Sequence, residues 1–210
     1  MTQTPETIFF AEQHLSVNTE VIDLINAPVV SLDPLGALPN LRVLRLGDTN
    51  RHAMSGGMLL DLAALSPCTC LEVLELPEQN IRSAEALKLL PTLQSVDLSF
   101  TRVFDLAPFE GLDHLRSLKL RHTPVESVAP LADLPALVHL DIAHTAVSDI
   151  APLGSLPALE TLDLRATGVT DLAALVGVTS LREVTIQRLE LESKAVEELR
   201  RARPDLAVIE

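Results

Sequence analysis

One sentence of sequence recurs in this chain. LQSVDLSFTRV begins at Leu93, LRSLKLRHTPV at Leu115, LVHLDIAHTAV at Leu137 and LETLDLRATGV at Leu159, each start 22 residues after the last. A fixed period of this size restricts the fold to a stack of like units. Leu115, Leu118 and Leu120 recur as Leu137, Leu140 and Ile142, and again as Leu159, Leu162 and Leu164. The last two of each set flank a polar residue, which is the alternation of a strand with one buried face. One such unit cannot bury its apolar face alone. Stacked neighbours can, and they share a continuous core.

The period extends in both directions. Counting back by 22 from Leu41 sets a first repeat at Thr19, and starts follow at Leu41, Leu71, Leu93, Leu115, Leu137, Leu159 and Leu181, giving eight repeats over residues 19–191. The unit at Leu41 is 30 residues long, 8 too many, yet Leu62, Leu65 and Cys68 keep the usual offsets before Leu71. The surplus therefore lies in NRHAMSGGM, Asn50 to Met58, an insertion of the kind that maps to a loop on one face. Between strands, Leu106, Val128, Ile150 and Leu172 recur with Phe109, Leu131, Leu153 and Leu175 three residues on. That spacing predicts a short 3₁₀ or one-turn helical segment, and Pro108, Pro130 and Pro152 suit its first turn. Connectors this short give a thin convex side.

The two ends depart from the repeat. Residues 1–18 carry Ile8, Phe9, Phe10, Leu15 and Val17 and are expected to cap the exposed core end. After Leu191, SKAVEELRRAR reads as a helix with Ala195, Val196 and Leu199 on its apolar stripe, ended at Pro204, with a last strand beyond Asp205. Residues 192–210 thus form a helix–strand C-terminal cap, and 1–210 is read as one domain, since no linker composition interrupts the repeat.

Composition narrows the function. Hydrophobic residues make up 47% of the chain but aromatics only 2%, so the core is built of aliphatic ladders. A net charge of −13 argues against nucleic acid and anionic membranes, which select clustered Lys and Arg. Cys68 and Cys70 are too close for an ordinary bridge and no other cysteine exists, which favours a reducing compartment. MTQTPETIFFAEQ has neither the basic start nor the apolar run of a leader, and no apolar stretch reaches the length of a membrane span. A cytoplasmic location is expected.

The repeats resemble the 22-residue class of leucine-rich repeat, LxxLxLxxNxIxxIxxLxxLxx, known from internalins and from a phosphatase regulatory subunit. The resemblance implies an α/β solenoid, a right-handed superhelix with a concave parallel β-sheet and short 3₁₀ or helical convex connectors. Where that class has its ladder asparagine, this chain has Thr49, Thr101, Thr123, Thr145 and Thr167, with Gln79 at the same offset. A threonine ladder bonding the turn of an adjacent coil is expected in its place.

Alternation sets the residues between the leucines on the concave face. One column contains Asp97, Lys119, Asp141 and Asp163; the next, Ser99, Arg121, Ala143 and Arg165; beside it, Phe100, His122, His144 and Ala166; and the preceding one, Ser95, Ser117, His139 and Thr161. Both signs of charge and an aromatic near the middle of the face predict protein binding. The candidate contact set is Asp97, Phe100, Lys119, Arg121, His122, His139, Asp141, His144, Asp163 and Arg165. Phe100 is either a contact or packs locally; Arg121 and Arg165 either grip a partner's carboxylates or pair with Asp141 and Asp163. No phosphate loop, nucleophile elbow or zinc-binding helix motif is present. The reading is a non-catalytic recognition or inhibitory subunit without cofactor or metal. Its alternatives are a secreted or translocated effector or adhesin, and a metal-dependent hydrolase using His139, Asp141, Asp163, His122 and His144.

Overall fold

The apolar offsets of each repeat become one short strand and one tight turn. The computed structural model describes residues 6–25, 29, 31–47 and 61–210. The insertion at Asn50–Met58 and the ladder position Thr49 lie outside the described residues.

A hairpin comes first, β1 (Thr7–Phe10) paired antiparallel with β2 (Gln13–Ser16). Ala11 and Glu12 turn it with left-handed backbone, and Ile8 and Phe10 face inward while Phe9 stays exposed. Nine parallel strands follow: β3 (Val21–Ile25), β4 (Val43–Gly47), β5 (Val73–Glu75), β6 (Ser95–Asp97), β7 (Ser117–Lys119), β8 (His139–Asp141), β9 (Thr161–Asp163), β10 (Glu183–Thr185) and β11 (Ala207–Ile209). Spatial order equals chain order. Register is one full period per strand, so Val96, Leu118, Leu140 and Leu162 are successive partners.

The chain returns to the sheet through 3₁₀ turns such as Ala107–Phe109, Ala129–Leu131, Ala151–Ser155 and Ala173–Val176, as the three-residue spacing predicts. Each has a local reason to form. Asp105, Asp149 and Asp171 accept the backbone N–H two residues on, at 2.8–2.9 Å, and Pro108, Pro130 and Pro152 sit in the first turn. Leu112, Leu115, Leu118, Leu120, Val125, Val128 and Leu131 are all buried, so one coil lines the core at every predicted offset. A helix, α1 (Ser193–Ala202), then packs Leu199 onto the last coil.

The threonine ladder differs from expectation. Thr101, Thr123, Thr145 and Thr167 donate to the carbonyls of Leu98, Leu120, Ile142 and Leu164, at 2.6–2.8 Å, within their own coils. A hydroxyl on a short stem reaches the carbonyl three residues back before it reaches the neighbouring coil. The longer Gln79 does cross, its Nε2 donating to the Leu46 carbonyl at 3.3 Å. Coils are instead joined at this edge by backbone: Phe100, His122 and His144 donate their N–H groups to the carbonyls of Arg121, Ala143 and Arg165.

Candidate functional site

The concave face is the sheet's polar side, and its geometry follows from pleat and period. Strands β7 to β11 form a trough of about 430 Å³, lined by Lys119, His139, Asp141, Thr161, Asp163 and Arg165, with Glu183, Thr185, Gln187 and Ile209 closing its C-terminal end. Of the ten candidate contacts, Lys119, His139, Asp141, Asp163 and Arg165 converge here. Asp97 lies one strand away and pairs with Lys119 at 3.7 Å. The trough is therefore displaced toward the C-terminus from the predicted centre. Glu183 and Ile209 were not singled out in sequence; Ile209 belongs to a segment that does not follow the period.

Charge is arranged in small, mostly satisfied groups. Asp97, Asp141 and Asp163 each accept the N–H two residues on, from Ser99, Ala143 and Arg165, at 2.9–3.0 Å. Arg165 Nε bonds the Asp163 carboxylate at 2.9 Å, so Arg165 adopts the intramolecular pairing. Arg121 does not: among the described residues its guanidinium makes no ion pair. Burial pushes the Asp141 carboxyl above the usual carboxylate range and nearby Asp163 adds to this, while the Ala143 N–H, Arg121 and Arg165 oppose it. The column containing Arg121 and Arg165 is not uniformly open, because Ala143 between them and Ser99 before Arg121 are buried.

The column beside it has a feature that composition did not reveal. Glu78, Phe100, His122, His144, Ala166 and Arg188 all have φ between +52° and +64°. A non-glycine residue in this region is uncommon, and six in one column mark a built-in turn. The equal backbone geometry stacks the side chains: Phe100 on His122 with ring centroids 4.6 Å apart and planes 21° apart, and His122 on His144 at 4.1 Å and 13°. Phe100 thus packs on an imidazole while staying partly exposed. Burial, then Arg121, Arg188 and Arg165, hold His144 below the ordinary histidine range.

The histidine–aspartate patch does not converge on a point. His139 Nδ1 lies 2.8 Å from the Thr161 hydroxyl, and His122 and His144 are engaged in the stack beside the strands. Among the described residues no three His, Cys, Asp or Glu side chains are grouped to hold a metal ion. Cys68 is buried, with its thiol 3.3 Å from the Leu35 carbonyl and pushed up to about 11 by burial, whereas Cys70 is exposed.

Solved structures share this architecture. An internalin of Listeria monocytogenes superposes with a TM-score of 0.74 at 23% identity, over 95% of this chain and 63% of the other. Internalin C2 of the same organism gives 0.77 at 23% identity, over 95% and 85%. The chain has the leucine-rich repeat fold. A leucine-rich repeat protein of Leptospira interrogans matches at 0.67 and 16% identity, over 89% of this chain and 52% of that one. This chain thus spans less than two thirds of the first internalin and about half of the Leptospira protein. No protein-family model and no curated protein matches. Among the described residues of this leucine-rich repeat, no helix is long and apolar enough to cross a membrane.

Proposed function

We propose that this leucine-rich repeat is a non-catalytic recognition subunit that binds a protein through its concave face, over strands β7 to β11. The observation that carries the reading is the trough itself. It is open and presents cations, anions, hydroxyls and an imidazole side by side on a rigid sheet, and Arg121, in the next column rather than in its lining, makes no ion pair among the described residues. A pre-organised wall of this kind lowers the ordering cost of association. Its charges suit a partner of alternating sign, where an unpaired arginine takes a carboxylate in a bidentate bond. Two free cysteines support operation in a reducing compartment, with the cytoplasm as the proposed location.

The test is a comparison of surfaces. A protein captured by the wild-type chain and identified by mass spectrometry is titrated against Arg121→Ala combined with Lys119→Ala, and against Glu126→Lys on the opposite flank. The concave pair is expected to weaken binding by about 1–3 kcal/mol, and Glu126→Lys to leave it unchanged. The reverse pattern would assign binding to the convex side and end this reading.

A further inference from the structure

The ring column beside the trough stops one rung short. Phe100, His122 and His144 fill three consecutive positions, Ala166 offers only a methyl group at the fourth, and Arg188 occupies the fifth. Ala166 keeps the geometry of its neighbours, with φ at 52° and its N–H donated to the Gln187 carbonyl, as His144 donates to Arg165. The backbone therefore continues the column and only the ring is missing. Adjacent parallel strands lie about 4.8 Å apart, so His144 and Arg188 are roughly 10 Å apart along the column. The ring separations of 4.6 and 4.1 Å are close to one strand step, and a single planar group fills the interval.

We propose that Ala166 floors a slot one ring thick, walled by the His144 imidazole and the Arg188 guanidinium, that takes an aromatic side chain flanked by a carboxylate from the bound protein. The proposal rests on the concave-face reading and specifies the partner's chemistry. His144 and Ala166 are both partly exposed, so the slot opens to solvent. A guanidinium and an imidazole are both good stacking faces for a ring. The carboxylate follows from charge: Arg121 and Arg188 make no ion pair among the described residues, while Arg165 is held by Asp163. Arg188 is near enough for its charge to act on His144. The chain itself has no Trp or Tyr, so an indole signal comes from the ligand alone.

That composition makes the slot readable by fluorescence without background. The probe is N-acetyl-aspartyl-tryptophan, titrated with the whole chain. Saturable quenching of the indole is expected, with half-saturation near about 1 mM. Ala166→Phe supplies the missing rung internally, in a backbone conformation that Phe100 already accepts, and is expected to weaken the probe at least about tenfold. Arg188→Ala is expected to weaken it several-fold and covers the case in which Ala166→Phe folds poorly by circular dichroism. No saturation up to about 10 mM, or equal binding by wild type and both variants, would overturn the slot. If a captured partner is lost on mutation of Lys119 and Arg121 but holds Ala166→Phe as tightly as wild type, the slot fails and the concave reading stands. If the probe is excluded by Ala166→Phe while the partner ignores the Lys119 and Arg121 changes, the slot stands and the trough fails.

Discussion

Asp141 carries a carboxylate that the fold makes harder to ionise, and this has a measurable sign. Its pKa is raised in the folded chain chiefly by burial, with Asp163 adding to it. A raised folded pKa means stability is fully present when the carboxyl is protonated and is lost as pH rises through its titration range. Asparagine keeps an oxygen to accept the Ala143 N–H that Asp141 accepts at 2.9 Å, and removes the charge. Asp141→Asn is therefore expected to melt a few degrees above wild type at neutral pH. The gap should close below about pH 3.9, where the carboxyl is protonated in the unfolded chain as well as in the folded one. Thermal melts at the two pH values decide it; a variant melting below wild type at neutral pH would mean the carboxylate is net stabilising. Thr123 sets a second residue-scale expectation. Its buried hydroxyl bonds the Leu120 carbonyl at 2.6 Å, and that carbonyl also accepts the Thr123 N–H. Thr123→Val removes one of two donors and should cost about 1 kcal/mol in urea melts.

At the level of elements, the repeat was legible wherever one physical demand recurs every period. The aliphatic offsets, the strands, the 3₁₀ turns at Ala107–Phe109 and Ala129–Leu131, and the terminal helix all follow from burial and local turn chemistry. The edge of the sheet did not. Left-handed backbone at Phe100, His122 and His144 is only weakly signalled by residue type: histidine is enriched there, but glycine and asparagine, the usual markers, are absent. The stack follows from that backbone, so it was hidden with it. At the trough's end the last strand was expected beyond Asp205, but not the place of Ile209 in the trough, because β11 is brought in by α1 rather than by the period. A buried side chain fixes this last element. Arg203 donates to the carbonyls of Val178 and Leu181, at 2.5 and 2.8 Å, and its Nε and Nη2 bond the Asp205 carboxylate at 3.0 and 2.8 Å. The fork joins the end of α1 to the last coil, a geometry lysine cannot reproduce. Arg203→Lys should cost about 1–3 kcal/mol and release α1 and β11 first, seen as faster amide exchange at Ala207 than at Val184. The Arg203 guanidinium also holds Asp205 below the ordinary carboxylate range. Its contribution is thus present at neutral pH and lost as pH falls through the lowered pKa.

For the whole molecule, each strand pairs only with its neighbours, in one register, from β3 to β11. Stability should then be a sum over coils and their interfaces rather than the property of one centre. Excising residues 137–158 puts this to the test. Ala136 stands where Ala158 stands one period later, so the junction rebuilds the Pro-Ala-Leu entry to a strand and sets β7 beside β9 with Leu118 still opposite Leu162. The shortened chain is expected to unfold in one cooperative step, with a urea m-value lower by about a tenth, in line with the surface removed. Excising 137–157 instead shifts the following strand by one residue and turns Leu162 and Leu164 toward solvent, because side chains alternate across a strand. That chain should not give a cooperative transition. Equal behaviour of the two deletions would show that the coils are not held in phase by their aliphatic offsets, and the placement of every residue on the concave face would lose its basis.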